Sequence, residues 1–237
     1  MTTSVRDGRE SVPLRPLERE STPSMVAARI REAIAQGDIP AGSQLGEVEY
    51  AARLGVSRGP LREGLQRLTQ EGLLVSHRNR GLFVIELTDE RVRDLYLARG
   101  AVERAAAARV HETGPAAACA ALLGVVDEMD RAADDVRAVS MADIRFHQVL
   151  VQQADSAQLS RIHETLLTET RMCIHRMEPT YACAEARVGE HRQIALALGA
   201  GDLLATDRLL TTHMRDAVQR LTGSPAGSTG APPQPSP

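Results

Sequence analysis

The 237-residue chain contains no lysine, only three cysteines, and no apolar run approaching the roughly 20 residues needed to cross a bilayer. Its 28 basic residues are therefore all arginine. A GC-rich genome would produce that bias as readily as function would, so it carries no argument by itself. Cys119, Cys173 and Cys183 are odd in number and show no Cys-x-x-Cys spacing. This argues against a disulfide framework or a thiolate metal site, and fits reduced, half-buried helix residues. The opening "MTTSVRDGRESVPLRPLERE" is charged throughout and lacks an apolar core, so it does not read as a secretory signal. The expectation is a cytoplasmic protein with no membrane partner. What remains is ordinary for a globular chain, 43% hydrophobic and 25% charged, with room for one large domain or two modest ones.

The net charge of -3 hides a local asymmetry. Between Arg53 and Arg80 lie six arginines against two acids, Glu63 and Glu71, with His77 in reserve. The compensating negative charge falls from residue 88 onward. A small anion-facing module joined to an acidic body fits this distribution.

Residues 1–21 mix charge with proline and show no periodicity, and the tail 223–237, "GSPAGSTGAPPQPSP", is a Pro/Gly/Ser segment that cannot bury a core. Both are expected to be disordered. Between them, residues 22–87 read as three short helices and a hairpin. The first helix is predicted to start at a Ser24 cap and to run through "MVAARIREAIAQG" to a stop at Gly37. The second is "EVEYAARLG". The third follows Ser57, a good N-cap, with Pro60 in its first turn. In "LLVSHRNRGLFVIEL" two β-prone runs flank a turn with Asn79 and Gly81. Three helices followed by a two-stranded wing is the order of a winged helix-turn-helix. From residue 88 to 222 the period is helical, in segments 89–110, 115–134, 139–154, 157–177, 183–199 and 202–221, with Pro179 among the breaks. The fold class is mainly α, with an all-α bundle of six or seven helices large enough for its own core.

On a helical wheel Leu61, Leu65 and Leu68 fall within about 40° of one another and form a buried stripe. Arg58, Arg62 and Gln66 follow at four-residue steps along one flank. Arginine suits bidentate contact with guanine O6 and N7, and equally with phosphate. A solvated helix face is the alternative for these arginines. The hairpin shifts the balance toward nucleic acid, because Arg78, Arg80 and Gly81 sit at a tip that can reach the backbone or minor groove.

In the helical region, Asp143 and His147 are four apart and share one face of a helix. His191 and His213 lie on two later helices. Three histidines and a carboxylate from three helices are a reasonable set for a divalent metal such as zinc. Spacing alone also admits ordinary helix histidines, of which His111, His163 and His175 serve as background examples.

The stretch "GDIPAGSQLGEVEYAARLGVSRGPLREGLQRLTQEGLLVSHRNRGLFV" resembles the DNA-binding domain of the GntR family of bacterial transcription regulators. The resemblance implies that Ser57, Arg58 and Arg62 contact operator DNA and that Gly81 sits in the wing tip. Gln66 and Arg80 join them as expected contacts. There are two departures from the family pattern. Gly59 stands where a hydroxyl residue is usual, and Gly64 where alanine is usual. A glycine there implies a helix that is loose, or one packed tightly on its neighbour.

"LYLARGAVERAAA", "DIRFHQVLVQQA", "GEHRQIALALGAGD" and "LLTTHM" together resemble the FCD effector-binding domain of the FadR subgroup, and six helices resemble its VanR branch. That resemblance implies a divalent metal on Asp143, His147, His191 and His213, zinc foremost, with nickel, manganese or iron as alternatives. It also implies a small organic acid held by the metal and by Arg99 of the Arg-x-x-x-Glu pattern. Arg99 could instead be a helix-surface arginine paired with Glu103. The chain reads "ADSAQL" where the family tends to have an asparagine, which leaves any contact by that asparagine unmatched, although Ser156 can still cap a helix.

The expected protein is a homodimeric repressor of a pseudo-palindromic operator that responds to an effector. Two other readings stand beside it, a regulator whose metal is purely structural and a metal-dependent hydrolase fused to a DNA-binding module. The hydrolase would need a general base. Only Glu190 is near in sequence, and helical phase turns it about 100° from His191. The expectation is therefore no enzyme.

Overall fold

The computed structural model describes residues 21–177 and 184–223. Residues 1–20, Pro179, Cys183 and the tail from 224 onward lie outside the described residues. The N-terminal unit begins with α1 (Thr22–Ala35), whose N-cap is Ser21, not the expected Ser24. Two hydroxyls stand three residues apart, and the earlier one accepts from the Ser24 backbone N–H and leaves Pro23 in the first turn, where its missing N–H costs nothing. After β1 (Gln44–Leu45), α2 (Glu47–Leu54) ends on Gly55 at φ 64°, a left-handed cap that glycine adopts without strain. The recognition candidate α3 (Arg58–Gln70) follows Ser57, whose hydroxyl makes no cap bond here, and buries Leu61, Leu65 and Leu68 as the periodicity requires.

The hairpin is β2 (Leu74–His77) and β3 (Gly81–Val84), turned through Arg78, Asn79 at φ 62° and Arg80. The wing has one strand more than expected. Gln44 and Leu45 pair antiparallel with Phe83 and Leu82, giving a three-stranded sheet in the order β1-β3-β2. A two-residue strand has no alternation of its own to read, because its partner defines it.

Gly64 lies where α3 crosses α1. A Cβ there would sit 2.7 Å from Val26 Cγ1 and 3.0 Å from the Pro23 carbonyl oxygen. The glycine marks close packing, not looseness. Gly64→Ala should therefore destabilise the protein, since about 1–3 kcal/mol of overpacking exceeds the 0.5–1 kcal/mol or so that alanine gains in a helix. A urea melt that shifted to higher midpoint would contradict this.

Among the described residues six helices follow: α4 (Asp89–Thr113), α5 (Pro115–Arg131), α6 (Val136–Gln153), α7 (Ala157–Met177), α8 (Ala184–Gly199) and α9 (Leu203–Thr222). Thr88, Asp135 and Asp202 cap α4, α6 and α9 through their side chains. Leu122, Val126, Met129, Phe146, Leu150, Ile194, Leu198 and Leu210 make the bundle core. Cys119 and Cys173 are free thiols in helices, and burial pushes the Cys173 thiol up to about 12. No described helix is long and apolar enough to cross a membrane.

Helix α7 joins the two units. Its Met172 is part of the N-terminal unit's own core, with Ile30, Ile34 and Leu68. Arg171 Nη1 donates to Glu32 on α1 at 3.1 Å, and Glu169 receives Arg91 at 2.8 and 3.0 Å. Arg91 also donates to the Gly72 carbonyl. His175 faces Gly37 so closely that a Cβ there would lie 2.5 Å from its Nε2.

Candidate functional site

Two sets of side chains stand out. The first is on the outside of the N-terminal unit. Ser57, Arg58, Arg62 and Gln66 are all exposed and run along one edge of α3, while Arg80 and Gly81 lie at the hairpin tip. The wing is braced from within. Gln44 Nε2 donates to the Arg80 carbonyl at 2.6 Å, and the Arg80 guanidinium lies over the Phe83 ring at 5.3 Å. Arg58 and Arg62 are not free cations, because both reach Glu47 at the start of α2. Sequence reading missed Glu47, and no local periodicity could have found a contact spanning 11 and 15 residues.

The second set is inside the bundle. Asp143 and His147 of α6, His191 of α8 and His213 of α9 bring one ligand atom each to within 4.8 Å of one another. All four are buried, with exposures of 0–8%. Each histidine is tied from outside by Nδ1. His147 Nδ1 meets Glu103 Oε2 at 2.6 Å, His191 Nδ1 meets the Arg187 carbonyl at 2.8 Å, and His213 Nδ1 meets Glu190 Oε2 at 3.3 Å. A carbonyl and two carboxylates only accept hydrogen bonds, so Nδ1 carries the proton in each ring. The three Nε2 atoms converge with the Asp143 carboxylate. His147 Nε2 lies 3.1 Å from His213 Nε2 and 3.8 Å from Asp143, and His191 Nε2 lies 3.7 Å from Asp143.

Three imidazole nitrogens and a carboxylate facing one another can share one cation. His191 Nε2 is buried with no hydrogen-bond partner at all. Ligand atoms about 2.0–2.2 Å from a shared ion stand roughly 3–4 Å apart, and three of the pairs here are at 3.1, 3.7 and 3.8 Å. The donor set of three imidazoles and one carboxylate suits zinc or another first-row divalent ion. The residues fit a metal.

The electrostatics agree with that geometry. Burial pushes the Asp143 carboxyl upward, but His191, His147 and the nearby Arg187 outweigh it and bring it down to about 2. Burial lowers His191 to about 4, which keeps its imidazole neutral at physiological pH and able to coordinate.

Behind the cluster lies a second layer. Glu103, fully buried, holds His147 with one oxygen and accepts from Arg99 and His163 with the other, at 3.1–3.3 Å. Burial opposes its ionisation, but His147 and Arg99 outweigh that and hold it well below the usual carboxylate range. Arg99 is thus a buried arginine, not a helix-surface one, and it is paired with Glu103. His163 is no background residue, since its Nε2 lies 3.3 Å from Glu103 Oε1 and is the third partner of that carboxylate, beside Arg99 and His147. Glu190 braces His213 from outside and takes Arg220 with its other oxygen, so it does not stand as a base beside the centre. Arg187, also fully buried, approaches Asp143 at 3.7 Å and Ser140 Oγ at 3.3 Å. His111 and His175 stand apart from the cluster, as expected.

A helix-turn-helix with an arginine-bearing second helix exposed beside a basic wing, set on a helical domain with a buried ligand cluster, defines a bacterial-type transcriptional regulator. Residues 22–84 match the family profile described as bacterial regulatory proteins, gntR family, and residues 94–216, just over half the chain, match the FCD domain. The "Probable D-xylose utilization operon transcriptional repressor" of Paenarthrobacter nicotinovorans is 32% identical over 203 residues, covering 81% of this chain and 87% of that protein. The gluconate operon transcriptional repressor of Bacillus subtilis (strain 168) is 28% identical, covering 65% of this chain and 64% of that protein. Among solved structures, a GntR transcriptional regulator from Rhodococcus sp. RHA1 superposes with a TM-score of 0.70 at 31% identity, covering 85% of this chain and 98% of that one. Escherichia coli McbR/YncC shares the fold, with a TM-score of 0.72 at 18% identity, covering 86% and 99%. The chain belongs to the GntR family and carries an FCD domain. It is a DNA-binding transcriptional regulator and not an enzyme.

Proposed function

We propose that this regulator is a homodimeric repressor in which a divalent ion, zinc foremost, sits on Asp143, His147, His191 and His213 and helps to hold a small organic acid that changes operator affinity. The observation that carries the reading is the convergence of three imidazoles, each tethered outward through Nδ1, with one buried carboxylate. The operator is a pseudo-palindrome read by Ser57, Arg58, Arg62 and Gln66 in the major groove, with Arg80 and Gly81 at the flanking backbone or minor groove. The bound metal supplies a positive centre for a carboxylate. Arg99 supplies a second, for which the incoming acid competes with Glu103. That the relative from Bacillus subtilis is named for gluconate, a sugar acid, agrees with this ligand class.

Helix α7 is the route of coupling. It carries His163, which touches Glu103 behind the metal cluster, and Met172, Arg171 and His175, which are seated on the DNA-binding unit. Exchange of Glu103 for a ligand at Arg99 would therefore be felt where α7 meets α1, provided the acid binds the two arrangements with different affinity.

Thermal melts decide between this reading and a purely structural metal. Zinc alone should raise the melting temperature of chelator-treated protein, and a panel of small carboxylates should raise it again only when metal is present. A ligand at a hundredfold excess over its dissociation constant adds about 2.7 kcal/mol. Stabilisation by zinc with no further response to any acid would leave the metal structural, and no response to divalent ions would remove the site.

A further inference from the structure

We infer that Glu47 is a specificity-determining residue of the DNA-reading face, holding Arg62 in the orientation that reads a base edge and opposing its use on phosphate. The inference rests on the reading that α3 lies in the major groove. A single oxygen of Glu47, Oε2, accepts from Arg62 Nε at 2.7 Å and from Arg58 Nη2 at 3.4 Å. These are two of the three groups at four-residue steps along the exposed edge of α3, and the carboxylate comes from the first residue of the other helix of the motif.

A guanidinium has two forked edges, one made by Nη1 and Nη2, the other by Nε and Nη2. With Nε occupied by Glu47, Arg62 keeps the terminal edge for a bidentate acceptor, and guanine O6 with N7 is the base-pair edge that fits it. The long side chain is also ordered before it meets DNA. The three side chains are 32%, 59% and 59% exposed, so the trio is open to a ligand and contributes little to folding.

The second consequence is electrostatic. A phosphate drawn to Arg58 or Arg62 must come close to the Glu47 carboxylate, whereas a neutral base edge need not incur that repulsion. The acid therefore weakens contacts available on any sequence more than the contact available on the right one. Ion pairing of the same arginines with Glu47 also means that they release fewer counterions on non-specific DNA.

The test uses the full-length protein and a duplex that the wild type selects from a randomised pool, with a scrambled duplex of equal length as the reference. Dissociation constants for both duplexes are measured over a salt series for wild type, E47Q, E47A and Arg62→Ala. E47Q should bind the scrambled duplex about threefold or more tighter, with a salt slope steeper by roughly one. Its ratio of scrambled to selected dissociation constants should fall by about tenfold. E47A should follow it, and the melting temperature of E47Q should stay at the wild-type value.

An unchanged ratio in E47Q overturns the inference. So does a parallel loss on both duplexes together with a lower melting temperature, which would make Glu47 a brace between α2 and α3. The Arg62→Ala arm separates the two levels. If that variant keeps the wild-type ratio, the reading of α3 itself fails and this inference with it. If Arg62→Ala loses the ratio while E47Q keeps it, only the role of Glu47 is lost.

Discussion

Arg62→Ala is expected to abolish recognition of the operator while leaving the protein folded. A good bidentate arginine–guanine pair contributes about 1–3 kcal/mol of discrimination, and a two-fold operator engages the residue twice, so the loss is about 2–6 kcal/mol, a factor of roughly 30 or more. Stability should not follow. Arg62 is exposed and pairs with Glu47 at the surface, and such pairs contribute about 0–1 kcal/mol. Arg67→Ala is the matching control. It removes the same charge from the same helix, but Arg67 donates to Ser24 Oγ at 2.6 Å, on the α1 side and away from the reading edge. Anisotropy titrations at fixed salt should show Arg67→Ala weakening the scrambled and selected duplexes alike, and Arg62→Ala weakening the selected one far more. Equal behaviour of the two variants would place the reading edge elsewhere.

The difference between Arg62 and Glu47 shows what could be read from the chain alone. Leu61, Leu65 and Leu68 set a helical phase, and that phase places Arg58, Arg62 and Gln66 on a flank with no knowledge of the fold. Asp143 and His147 were legible for the same reason, since four residues is one turn. The resemblance of residues 37–84 to a known family then supplied the neighbours that periodicity could not. Contacts between elements leave no such trace. Glu103 meets His147 across 44 residues and His163 across 60, and the chain gives no hint that a histidine set aside as background completes the layer behind a metal cluster. Gly64 was half legible. Glycine in a helix signals either looseness or contact, and only the position of Val26 decides which. The seam at α7 was not legible at all, because Met172 lies in a segment whose helical pattern assigns it to the bundle, while the fold gives it to the core of the other unit.

Glu103→Ala should be the most damaging single substitution in the helical domain. The wild-type carboxylate is fully buried and receives three cationic or proton-bearing partners, Arg99, His147 and His163. Removing it leaves a guanidinium buried without its counter-charge and two imidazoles without an acceptor. Breaking a buried pair from one side costs about 3–5 kcal/mol, a large share of the 5–15 kcal/mol or so by which a domain is stable. Glu103→Gln separates charge from shape. The amide keeps the volume and one acceptor oxygen, but its NH2 must face a group that already donates, so it should fall between wild type and alanine. The same residue fixes the tautomer of His147 through a 2.6 Å contact, and partners of this kind support metal affinity by about 10–100-fold. Urea melts should therefore show both variants destabilised, and competition with a chromophoric chelator should show zinc held more weakly by Glu103→Gln even where the protein remains fully folded. If Glu103→Gln binds zinc as tightly as the wild type, Glu103 is a packing residue of α4 and does not act through His147. If Glu103→Ala melts at the wild-type denaturant concentration, the buried charge is not held by this network at all.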